Sequence, residues 1–179
     1  VLDLIHAPDI PVAIGARRPL IEEARSASEV HGESGLGSVS LPPSRRKLDD
    51  RGAIELLRST LMSSDQPITI VALAPQTNIA LLLRTYPEVV DHIERIVFMG
   101  GAAYCPGNMN DHAEFNFMVD PHAAEIVLQS GAKLVMLGLD VTNQARIEDS
   151  HLAGLRRNRN TCSDIAARLL DAYAVGDRH

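Results

Sequence analysis

The sequence predicts an α/β fold, a mostly parallel open sheet flanked by helices. Two observations carry that expectation. Short apolar runs recur at residues 10–14 (I-P-V-A-I), 68–73 (I-T-I-V-A-L), 96–99 (I-V-F-M) and 134–139, and stretches with helical spacing separate them. Strands alternating with helices imply βα units, and uninterrupted apolar strands are expected where both faces of a parallel sheet are buried.

Residues 1–6 have the spacing of a last helical turn, ended by Ala7-Pro8-Asp9, and Gly15 closes the first strand. Residues 16–48 lack periodicity and read as a long loop, a length at which loops are usually functional or mobile. Asp49 or Asp50 is placed to cap a helix over 51–62, with Ile54, Leu57 and Leu61 on one face. After the second strand, Thr77 opens a helix through Arg84 that Pro87 stops, and a short helix follows over 88–92. Asp120-Pro121 is a helix start, Asp as N-cap and Pro in the first turn, and Ser130-Gly131 ends that helix. Two further helices are expected over 148–156 and 163–174.

Composition excludes several functions. With 179 residues, 45% hydrophobic, 22% charged and a formal net charge of −6, the chain suits one globular domain or a large part of one and has no basic footprint for nucleic acid. Aromatics are 3% with no Trp, too few to stack exposed bases along a groove. Cys105 and Cys162 are too few for a disulfide framework or a zinc site. No apolar run spans a bilayer and no signal-peptide pattern opens the chain, so a cytoplasmic location without membrane attachment is the default expectation. The start at Val1, without Met, has the look of a cut from something longer.

Ligands of such sheets bind beyond the carboxyl ends of the strands. The longest polar segment lies there, after the third strand, with Asn108, Asn110, Asp111, His112, Glu114 and Asn116. Residues 113–118 read as extended, which would put Glu114 and Asn116 on one face and Ala113, Phe115 and Phe117 on the other. A carboxylate beside an amide suits vicinal hydroxyls, and the Gly107-Asn108 turn would aim a second amide at the same place. Spacing alone equally allows polar groups that merely stabilise a loop. Cys105 with His112 is a weak metal reading, Ser34 lacks the spacing of a nucleophile elbow, and Gly100-Gly101 lacks the other glycines of a dinucleotide fingerprint. Arg45-Arg46-Lys47 reads as a solvated charge run.

M-G-G at 99–101, G-N at 107–108, E-F-N at 114–116 and D-P-x-A-A at 120–124 resemble the signature of the inosine–uridine-preferring nucleoside hydrolases. I-P-V-A-I-G-A-R-R-P-L, H-G-E-S-G-L-G, A-P-Q-T-N-I-A and G-L-D-V-T-N-Q-A are similar in the same order, so the resemblance covers residues 10–146. It implies that residues 1–179 are the central part of a single Rossmann-like nucleoside hydrolase domain. The implied activity is hydrolysis of the N-glycosidic bond of ribonucleosides to base and ribose, dependent on Ca2+, in a homodimer or homotetramer.

The resemblance also implies roles. Met99 would lie against the sugar ring, Asn108 would face its 5′ side, and Glu114 and Asn116 would hold its hydroxyls. His31 would stand near the base, or equally be a solvated loop histidine, and the backbone carbonyl of Leu73 would be one calcium ligand. The family's aspartate-rich metal motif and its His-Asp pair, which supplies the leaving-group acid, belong before Val1 and after His179. Asp49-Asp50 and Asp177-Arg178-His179 do not stand in for them, so no catalytic residue is expected within the chain. The base preferred is left open. The rival expectation is an inactive relative that binds ribose or serves a structural role.

Overall fold

The computed structural model describes residues 1–28, 32, 34–37 and 39–176. The chain divides into two compact units, Pro11–Ala24 with Leu48–Ala145, and Val1–Ile10 with Arg25–Lys47 and Arg146–His179.

The first of these units carries the sheet. Its elements run α1 (Ala53–Ser63), β1 (Ile68–Ala72), α2 (Thr77–Thr85), a 3-10 helix (Pro87–His92), β2 (Ile93–Met99), α3 (Phe115–Val119), α4 (Pro121–Leu128), β3 (Leu134–Leu137) and α5 (Leu139–Thr142). The three strands are parallel in the order β1-β2-β3. The α/β parallel-sheet expectation therefore holds. Register sets Ala72 opposite Phe98 and Met99 opposite Leu137, so the chain leaves all three strands at one edge.

On one face of the sheet, Ile70, Ala72, Ile96 and Phe98 pack with Ile79, Leu82 and Leu83 of α2 and with Ala123 and Val127 of α4. The opposite face is open within this unit: Val71 is 60% exposed and Val135 39%. The apolar strand runs thus misled on burial of both faces, because hydrophobicity reports the tendency to bury and not the presence of a covering layer. Residues 10–14 also differ from expectation and join no sheet. Pro11 has no N–H to give to a ladder, and the carbonyls of Val12 and Ile14 instead accept from Asp49 N (2.7 Å) and Ala53 N (2.9 Å).

Helix α1 starts at a Gly52 N-cap without a side-chain bond, so neither aspartate caps it. Asp49 is instead turned onto Arg51, accepting from its backbone N, Nε and Nη2. These charge-assisted bonds hold the Asp49 carboxyl down at about 2, the side-chain bond to Arg51 contributing most.

In the other unit, α6 (Asp149–Arg157) and α7 (Thr161–Gly176) form a helical pair tied by Arg156 and Asp171 at 2.6 Å. Arg46 is not a solvated charge: it donates to Asp3 (3.0 Å) and to the carbonyls of Ala7 (2.5 Å) and Pro8 (2.9 Å). No helix among the described residues is long and apolar enough to cross a membrane.

Candidate functional site

At the carboxyl edge of the sheet, β2 ends at Met99 and the chain enters Gly100-Gly101. Both glycines are dictated locally. A Cβ on Gly100 would stand 2.8 Å from the Phe117 ring, and Gly101 has φ +79, a conformation that side chains disfavour. Phe117 is in turn stacked on Phe98 with ring centroids 5.9 Å apart, which fastens the loop to the core. Further along, a Cβ at Gly107 would lie 2.2 Å from the Ala113 carbonyl oxygen, so the turn before Asn108 closes only with glycine.

Residues 113–118 are not extended. Glu114 is the N-cap of α3, and its carboxylate accepts from the N–H of Asn116 (2.9 Å) and Phe117 (3.1 Å). A third N–H, of Gly101, reaches the same carboxylate at 2.9 Å, leaving Glu114 only 2% exposed. Strand alternation gives way here because a buried carboxylate that satisfies the orphan N–H groups of a helix start makes a helix the better local solution. Glu114 and Asn116 are neighbours nonetheless, through the cap.

The Asn116 amide donates to the Met99 carbonyl at 3.1 Å and lies 3.1 Å from the Met99 sulfur. Asn108 accepts from Phe115 N at 2.9 Å. Met99, Glu114 and Asn116 are thus joined by hydrogen bonds, and Asn108 is tied beside them to the backbone of Phe115, the residue between the last two. Leu73 follows the last residue of β1 at the same sheet edge and is 76% exposed, without a hydrogen bond to those residues. His31 lies outside the described residues.

Two aspartates with structural work were not singled out as site residues. Asp120, fully buried, caps α4 through Ala123 N (3.0 Å) and also accepts from Leu20 N (3.0 Å) and the Thr77 hydroxyl (2.6 Å). It thereby joins three of the sequence segments that carry the resemblance. Asn78 adds a second tie by accepting from Ala16 N at 2.8 Å. Asp140 accepts from Ala103 N (2.9 Å) and Tyr104 N (2.8 Å), and these backbone bonds, with the Cys105 thiol, hold its carboxyl below the usual range. Its place in G-L-D-V-T-N, just past β3, was the signal available for it. Gln76 is also buried at this edge, with neither amide atom hydrogen-bonded among the described residues.

The metal expectation finds little here. Among the described residues no group of three His, Cys, Asp or Glu could hold an ion, and one carbonyl at Leu73 falls far short of the roughly 6–8 oxygens that calcium takes.

The chain is 50% identical over 172 residues to a pyrimidine-specific ribonucleoside hydrolase, RihA, of Salmonella schwarzengrund, a match covering 96% of this chain and 55% of the relative. Its fold superposes on a purine-preferring ribonucleoside hydrolase from Gardnerella vaginalis with a TM-score of 0.93 at 32% identity, covering 98% of this chain and 57% of that one. A plant nucleoside hydrolase, PpNRh1, gives 0.92 at 34% identity, over 99% and 56% of the two chains. The chain thus spans about half the length of the curated relatives it matches. The family model of the inosine-uridine preferring nucleoside hydrolases matches residues 1–179 of the chain, and the chain belongs to that family.

Proposed function

We propose that the full-length protein hydrolyses the N-glycosidic bond of ribonucleosides, and that Met99, Asn108, Glu114 and Asn116 form the wall against which ribose lies. The supporting observation is the preorganised cluster at the sheet edge. Asn116 spends an amide hydrogen on Met99, and its Oδ1 accepts no hydrogen bond among the described residues, which leaves it for a sugar hydroxyl. Glu114 uses Oε1 for a single N–H, so a lone pair remains on that oxygen. Bonds already made to the main chain fix both groups before substrate arrives, which lowers the entropy cost of binding.

In the reaction the bond between base nitrogen and the anomeric carbon breaks, water oxygen bonds to that carbon, and a proton reaches the departing base. The residues assigned here bind and orient the sugar. Calcium, in the parent family, would supply a hard cation that the ribose diol could ligate and that makes a bound water more acidic. The described residues do not build that site. Uridine and cytidine are the first substrates to test, given the specificity in the name of the relative at 50% identity. The single-domain organisation of residues 1–179, a cytoplasmic location and a dimeric or tetrameric state belong to the same reading and rest on the resemblance.

The test is release of free ribose by the full-length protein from uridine, cytidine and inosine, with and without chelator. Ribose release that stops on chelation and returns with calcium is the expected result. No release from any nucleoside with calcium present would sink the activity and favour the inactive, ribose-binding alternative.

A further inference from the structure

The turn that leads from β2 into the ribose wall is held from two sides. Glu114 takes the N–H of Gly101 at 2.9 Å, from within the wall itself. From α5, just past the neighbouring strand β3, Asp140 takes the N–H groups of Ala103 and Tyr104 at 2.9 and 2.8 Å. Around it, Leu139 N donates to the Gly101 carbonyl (2.9 Å), and Gly100 N to the Leu137 carbonyl (3.4 Å). Gly138 lies so close that a Cβ there would stand 2.8 Å from the Gly101 oxygen. The Gln144 amide secures Asp140 itself by donating to its carbonyl at 2.6 Å.

Nothing in the ribose-binding scheme uses Asp140, yet its carboxylate spans two consecutive main-chain N–H groups of the segment joining Met99 to Asn108. Two charge-assisted bonds from one rigidly placed carboxylate fix a main-chain path far better than a solvated loop could. We propose that Asp140 is a positioning residue of the nucleoside site: by clamping 103–104 it sets where Asn108 stands relative to Met99 and Asn116. The proposal rests on the ribose-wall reading. It also assigns a task to the G-L-D-V-T-N segment, whose aspartate points back at a loop remote in sequence.

Full-length Asp140→Ala and Asp140→Asn proteins test this by three readouts. In Asp140→Ala, deuterium exchange of the peptide containing 103–105 should speed up by at least about tenfold, as the clamping bonds are lost. KM for the nucleoside should rise about ten- to a hundredfold, and Asp140→Asn, which keeps one acceptor oxygen, should fall in between. A variant that merely folded less completely would show lower kcat at unchanged KM. The third readout is Cys105, whose thiol is pushed up by burial first and by the Asp140 carboxylate second. Peptide-mapped alkylation of Cys105 should therefore be faster in Asp140→Asn.

Unchanged exchange at 103–105 would refute the clamp. Faster exchange with unchanged KM would refute its part in positioning the site. A wild-type protein that releases no ribose would overturn the nucleoside reading and this proposal with it, whereas an active wild type with an unshifted variant KM overturns this proposal alone.

Discussion

Beneath the carboxyl edge of the sheet, Leu82, Val89, Ile96 and Phe98 are sealed from water by apolar neighbours. Past that edge, in residues 100–120, the main chain is held by carboxylates and amides turned onto backbone N–H groups: Glu114, Asp120, Asp140, Asn108 and Asn110. The first region is non-directional and tolerates exchange of one apolar residue for another of like size. The second depends on individual acceptors at stated distances, where loss of one oxygen strands an N–H. Phe117 joins the two, with its ring on Phe98 and its N–H on Glu114. The contrast suits a ligand site: a rigid base supports a polar rim whose geometry is set by hydrogen bonds and not by packing.

Breaking the base should have the largest effect. Phe98→Ala in the full-length protein is expected to cost about 3–5 kcal/mol of stability, read from denaturant unfolding, and to free the Phe117 ring. A loss below about 1 kcal/mol would mean that this face is not the core described here. Breaking the rim should cost activity more than stability. Asn116→Ala is expected to lower kcat/KM about a hundredfold, equivalent to about 2.7 kcal/mol, with a melting temperature close to wild type. Unchanged efficiency would place the sugar elsewhere.

The smallest effect is expected away from both regions, at Asp49. Its folded carboxyl is held at about 2, below the roughly 3.9 of an unfolded chain. A depressed folded value means the contribution is complete above the unfolded pKa and is lost as pH falls through the folded one. The stability difference between wild type and Asp49→Asn should therefore be constant above about pH 5 and shrink from about pH 4 towards 2. A difference that grows on acidification would contradict the Arg51 pairing.

Local chemistry was legible where one residue carries it. Asp120-Pro121 announced a helix start, and Asp120 does cap α4. The runs at 68–73, 96–99 and 134–139 announced three strands, which form with slightly different limits. The cluster of Met99, Asn108, Glu114 and Asn116 was also legible as a group, through the resemblance. Their arrangement was not, because a Glu that accepts three N–H groups replaces the alternation of a strand with a cap. Arg46 looked like one of three loop cations until Asp3 and two carbonyls met it from a distant part of the chain.

By itself, then, the sequence determined the fold class, the family resemblance and the residue types gathered at the sheet edge. These depend on hydrophobic period, turn chemistry and the order of motifs, all of which are local. Only the tertiary structure decided that Glu114 is a cap, that Asp140 reaches across to residues 103 and 104, and that one sheet face stays open within its unit. Those outcomes turn on which N–H groups lack partners, and which surfaces lack neighbours, once segments far apart in sequence are brought side by side.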